Sequence, residues 1–225
     1  MYIIKKNIIF NGAIFILFIF ISIITFIVVK DFLHIFLVWN VFLALIPYAL
    51  TILIDKKIVK KKIGIIITLL LWLFFFPNSM YIITDLIYIN SEEFMAGIGS
   101  YDVFLYLQNT PSYLGLFHIY LGGILGLLYG FKSLSVLYQY GKDMKCSKYR
   151  DIIVIIIFGL SSFAIYVGRF FRYNSWDFFR VFSILKDFFE SLSWFTVFFI
   201  LSYTLLLTII FYSFKFNFLQ KNKSE

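Results

Sequence analysis

Six long, predominantly apolar runs govern what this chain can fold into. They cover residues 8–29, 32–54, 63–87, 112–137, 152–171 and 192–214. A helix needs about 20 apolar residues to cross the hydrocarbon layer of a bilayer. Each run meets that length, so the expected fold is all-α: a polytopic membrane helical bundle of about six transmembrane helices, forming a single membrane domain over residues 1–225. Composition agrees. Charged residues make up only 14% of the chain and hydrophobic ones 62%, whereas a soluble domain carries about 25% charge. The first run is too long for a secretory signal, and no small-residue cleavage site follows it.

Orientation follows from the basic residues. With the N-terminus inside, the cytoplasmic segments 1–7, 55–62, 132–151 and 215–225 hold fifteen of the 20 Lys and Arg residues, and the outer segments hold five. Positive charge stays on the cytoplasmic side, so the expectation is a cell-membrane protein with both termini in the cytoplasm. The net charge of +8 is thereby accounted for without nucleic acid. The one cysteine, Cys146, allows no internal disulfide and falls in a cytoplasmic loop.

One or two short interfacial helices are expected on the outer side. Between Asp177 and Glu190, polar residues recur every three or four positions among phenylalanines, the pattern of a helix lying in the interface. Asn174 stands where an N-cap would. Residues 101–107, with Ser100 as cap, suggest a second such helix. Pro111 should separate it from the fourth span.

Helix faces show where polar chemistry gathers. Gly122, Gly126 and Gly130 form a small-residue stripe that allows close helix approach, and a homo- or hetero-oligomer through it is one reading. His118 lies near that face and should point inward. Asn40, Ala44, Pro47 and Thr51 share a face of the second span. In the fifth, Ser161, Ala164, Gly168 and Arg172 form one stripe, and Ser162, Tyr166 and Arg169 the next. Pro77 should kink the third span, with Asn78 satisfying the freed backbone. By depth, Asn40, Asn78, Asp85, Asp102, His118, Arg169, Arg172, Asn174 and Asp177 all fall at the extracytoplasmic end.

These residues sit in recognisable blocks: Trp39-Asn40 with Leu43 to Pro47; Phe76-Pro77-Asn78 through Tyr81 to Thr84-Asp85; Tyr101-Asp102; and Gly168 to Asp177. Together they resemble the bacterial membrane-protein family known as domain of unknown function 1361, over roughly residues 35–205. The resemblance implies membrane location and marks these positions. It implies no activity.

The resulting expectation is a polar site at the outer helix ends. Asp85, Asp102, His118 and Asp177 are candidate acid/base groups. Arg169, Arg172, Asn174, Asn78, Asn40 and Trp176 are candidate ligand contacts, since arginine suits phosphate and carboxylate. An anionic lipid headgroup or envelope precursor would present such a group there. The bland readings are that the aspartates pair with Arg169, Arg172 or Arg180 to tie loops together, and that Trp176 and His34 are interfacial residues. With two histidines on different helices, no metal site is expected, and no cofactor is indicated. A headgroup-processing enzyme, a small-solute transporter and a non-catalytic accessory subunit all remain open.

Overall fold

The computed structural model describes residues 2–90, 93–98, 103–140, 147–173 and 175–221. The helices are α1 (Tyr2–Val29), α2 (Leu33–Asp55), α3 (Lys62–Tyr81), α4 (Thr110–Tyr140), α5 (Arg150–Phe170), α6 (Val181–Glu190) and α7 (Trp194–Lys221). A 3-10 segment, Ile82–Tyr88, continues α3, and another, Ser175–Arg180, leads into α6. Six stretches are long and apolar enough to cross a membrane: 9–29, 33–55, 62–88, 110–140, 150–170 and 194–214. They match the apolar runs to within three residues. The protein is a multi-pass helical membrane protein.

The expected second interfacial helix is corrected. Val103–Tyr106 is a strand, β2, pairing antiparallel with β1, Met95–Ile98. Its valine and aromatic residues suit an extended ribbon, and the pairing satisfies backbone groups that a four-residue segment would leave open as a helix. Ser100, Tyr101, Asp102, Cys146 and Asn174 lie outside the described residues. Pro111 sits in the first turn of α4, where its missing N–H is harmless.

The chain divides into two compact units, Met1–Leu43 with Tyr81–Leu127 and Ala44–Met80 with Leu128–Glu225. In the first, Phe18, Leu37, Val41 and Ile82 are fully or almost fully buried. A Cβ placed on Gly122 would meet Phe18 at 3.4 Å and Leu37 at 3.5 Å. In the second, Phe131, Phe158 and Phe211 form an aromatic cluster with ring centres 5.6 to 6.3 Å apart. Polar groups beside that cluster bind one another, as lipid requires. Trp72 Nε1 donates to Ser133 Oγ at 3.1 Å, Thr204 to Ser162 at 3.0 Å, and the Tyr203 hydroxyl to the Met80 carbonyl at 2.7 Å. Around Pro77, Asn78 Nδ2 donates to the Phe75 carbonyl and Ser79 Oγ to that of Phe76, whereas the carbonyl that the proline deprives of an N–H is that of Leu73. Ala44, Pro47 and Thr51 are buried, as their shared face implies.

A Cβ at Gly130 would collide with Met80 Cε and with Ser79 Oγ. At Gly122 and Gly130 the close approach is therefore made within the chain. We expect Gly130→Ala to cost about 1–3 kcal/mol through overpacking. Gly12→Ala, where nothing lies within 4 Å, should be neutral or gain up to about 1 kcal/mol from helix propensity. Unfolding of the two variants in matched micelles measures the contrast.

Candidate functional site

The first unit places a chain of buried polar side chains across three helices. Ser22 on α1, His34 at the start of α2 and His118 on α4 are each 2% exposed or less. Ser22 Oγ lies 2.7 Å from His118 Nε2, and His118 Nδ1 lies 3.0 Å from His34 Nδ1. The Phe18 ring stacks on His118 with centroids 4.9 Å apart. His118 points inward, as its position beside Gly115 and Gly122 implies. His34 points inward as well, not into the interface as expected, and the two histidines meet although they belong to helices far apart in sequence. Periodicity could not show this pairing, because α1 is apolar nearly all round and carries no face that singles out Ser22. Among the described residues no group of three or more His, Cys, Asp and Glu side chains stands ready for a metal ion.

One pair of neutral tautomers satisfies all three hydrogen bonds at once. Ser22 Oγ donates its single proton to the Phe18 carbonyl at 2.7 Å. It then accepts from His118 Nε2–H, which leaves His118 Nδ1 as a lone pair. His34 must donate to that lone pair through Nδ1–H. Its Nε2 is therefore an acceptor. A Cβ on Gly115 would lie 3.3 Å from His34 Nε2, so this glycine lets the α4 backbone come up to the ring.

His34 also lines a cleft of about 70 Å³, with Asp31, Tyr88, Asn90, Glu93, Phe94 and Ser112 among its other walls. Asp31 Oδ1 accepts from the Leu33 backbone N–H at 2.9 Å, which caps the start of α2. Elsewhere in the unit Asp85 is only 2% exposed. Asn40 Nδ2 donates to its Oδ2 at a long 3.4 Å, so a polar residue of α2 supports this buried carboxyl.

The second unit holds the arginines. Arg169 is half-buried on the last turn of α5, and Arg172 is exposed just beyond it. Arg172 has φ 59°, the left-handed conformation that glycine normally supplies after a helix. Lys30 (φ 61°) and Lys57 (φ 54°) do the same after α1 and α2. Each puts a cation at the negative end of a helix dipole at a backbone cost of about 1 kcal/mol. Of the two α5 stripes, that of Ser162, Tyr166 and Arg169 turns inward, with Tyr166 Oη 2.9 Å from Thr196 Oγ1. In the other, Ser161 is buried but Ala164 and Arg172 are exposed.

Beyond α5, Tyr173 donates to Asp187 Oδ2 at 2.7 Å, and the Arg180 guanidinium lies 5.7 Å from the Tyr173 ring centre. The hydrogen bond to the Asp187 carboxylate raises the Tyr173 pKa above its ordinary value. This tie between loop and helix had no signature in the sequence. Helix α6 buries none of its residues. Phe179 and Phe182 are 80% and 85% exposed, in keeping with the amphipathic pattern. Asp177 is half-buried in the 3-10 turn, whose backbone also carries Trp176. The structure thus brings Asp85 to Asn40 and His118 to Ser22 and His34, while Arg169, Arg172, Asp177 and Asn78 belong to the other unit.

A buried His-His-Ser chain and a basic helix end, carried by six membrane-crossing helices, define a polytopic membrane protein with polar groups at the helix ends. The family model described as protein of unknown function, DUF1361, matches residues 39–210, and the chain belongs to that family. His118 falls inside the matched stretch and His34 and Ser22 before it. Neither the curated proteins nor the solved structures contain a match.

The Ser22–His118 bond should show as coupling. In a double-mutant cycle of Ser22→Ala and His118→Phe, we expect about 1 kcal/mol of non-additivity. Chemical unfolding of the four proteins in one detergent measures it.

Proposed function

We propose that this protein binds the anionic headgroup of a lipid or envelope precursor at the extracytoplasmic end of α5, with Arg172 as the principal contact and Arg169 beside it. One observation carries the reading. An exposed arginine is held in a left-handed backbone where glycine would be less strained, and strain of this kind is retained where function uses it. The amphipathic α6 supports it, since its bare phenylalanines suit the layer in which headgroups lie. Arginine meets a phosphate with paired N–H donors. Asp177 and Asn174 follow closely in sequence and complete the polar segment. The proposal makes binding, rather than solute transport or a scaffold role, the first property to measure. Its orientation, N- and C-termini inside, rests on the distribution of Lys and Arg.

Arg172→Gly separates strain from binding. Removing the left-handed penalty should leave stability unchanged or raise it by up to about 1 kcal/mol. Binding of phosphatidylglycerol should fall about tenfold or more. Native mass spectrometry of protein released from defined vesicles reads the second quantity, and retained lipid binding in Arg172→Gly refutes the assignment.

The orientation has its own check. In intact cells a membrane-impermeant maleimide should leave Cys146 unlabelled and should label a cysteine introduced as Ser183→Cys, a position exposed on α6. The reverse pattern places the arginines on the cytoplasmic side.

A further inference from the structure

We infer that the cleft beside His34 is a second binding site, for a primary ammonium group, and that His34 Nε2 is its buried acceptor. This goes beyond the headgroup reading and involves different residues. His34 is 98% buried and lies on the cleft wall. Its partner on the far side is fixed: Nδ1–H is committed to His118 Nδ1, 3.0 Å away, and His118 in turn to Ser22. What remains on the ring is the Nε2 lone pair, beside Gly115, which also lines the cleft.

The rest of the lining has the same polarity. Asp31 and Glu93 stand at the exposed rim, and among the described residues no Lys or Arg lines the cleft. A phosphate would meet two carboxylates and an acceptor nitrogen, which repel it. A primary ammonium offers three N–H donors, matched by His34 Nε2, Asp31 and Glu93. Tyr88 and Phe94 are among the walls and bring aromatic rings, which favour a cation, and the buried Ser112 hydroxyl adds an adaptable polar wall. Gly115 is needed because any side chain there would crowd the ring nitrogen from 3.3 Å. The ammonium can belong to an ethanolamine lipid headgroup or to a free amine.

The chain contains two histidines, so a ¹⁵N-histidine spectrum of the full-length protein in nanodiscs reports on this site alone. The starting lipid is phosphatidylcholine, whose quaternary ammonium has no N–H to donate. There His34 should appear as the Nδ1–H tautomer and His118 as the Nε2–H tautomer. Added ethanolamine should move the His34 Nε2 resonance and leave His118 Nε2–H in place. Asp31→Asn retains the helix cap but loses charge, and should weaken the ethanolamine response about tenfold or more. Gly115→Val should abolish it, and Gly12→Ala should retain it. If phosphatidylethanolamine discs reproduce the shift without added amine, the lipid headgroup is the ligand. If only free ethanolamine does, the ligand is a soluble amine. No movement of His34 Nε2 with either source, or an undiminished response in Asp31→Asn, overturns the proposal. Loss of phosphatidylglycerol binding in Arg172→Gly is a separate readout, so the two assignments fail independently.

Discussion

Lipid offers no hydrogen bonds, and this protein is organised around that fact. Each polar side chain inside a span must find a partner within the chain or bear the desolvation cost. Most solve the problem locally, donating to a carbonyl three or four residues back, as Thr68, Ser161, Ser162 and Thr208 do. Such bonds bind a helix to itself and say little about its neighbours. The exceptions carry tertiary information. Ser22 to His118 to His34, Asn40 to Asp85, Trp72 to Ser133 and Tyr203 to the Met80 carbonyl each join separate elements. They identify the faces that cannot turn toward lipid.

The same constraint decides what was legible in the sequence. Spans could be read because a stretch of about 20 apolar residues has one use in a chain this poor in charge. The inward aspect of His118 could be read because neighbouring glycines mark the packed face. His34 could not be read. It lies one residue inside α2, where interfacial residues are common, and its partners come from α1 and α4. Neither is visible from the period of α2. The β-hairpin was hidden for another reason: its second strand lies between the outer end of the third span and Pro111, in a stretch whose apolar residues fit a short helix equally well.

Charge near the helix ends has two physical uses here, and the structure separates them. Lys30, Lys57 and Arg172 sit just past helix C-termini in left-handed backbone. At Lys57 the Ile58 N–H reaches back to the Leu53 carbonyl at 3.1 Å, the six-to-one bond of a helix stop. A cation there answers the dipole and, in the proposed orientation, the positive-inside rule as well. For Arg172 the topological rule works the other way, since its segment is assigned to the outer side. Dipole compensation alone would be served by lysine, which is as charged. Arginine adds a planar fork of donors, and that addition is what recommends it as a ligand contact.

Aspartate follows a similar division. Asp31 and Asp187 act at the edge of the apolar region, one capping α2 and the other accepting from Tyr173. Asp85 is different. It is buried in the 3-10 extension of α3, where the neighbouring Thr84 Oγ1 donates to the Tyr81 carbonyl at 2.6 Å. A carboxyl at such a depth needs donors, and Asn40 supplies one from α2. The pairing explains why an asparagine is tolerated inside an apolar run. Depth groups Asp85 with Asp177 and Arg172, and within its own unit the partner that Asp85 reaches is Asn40.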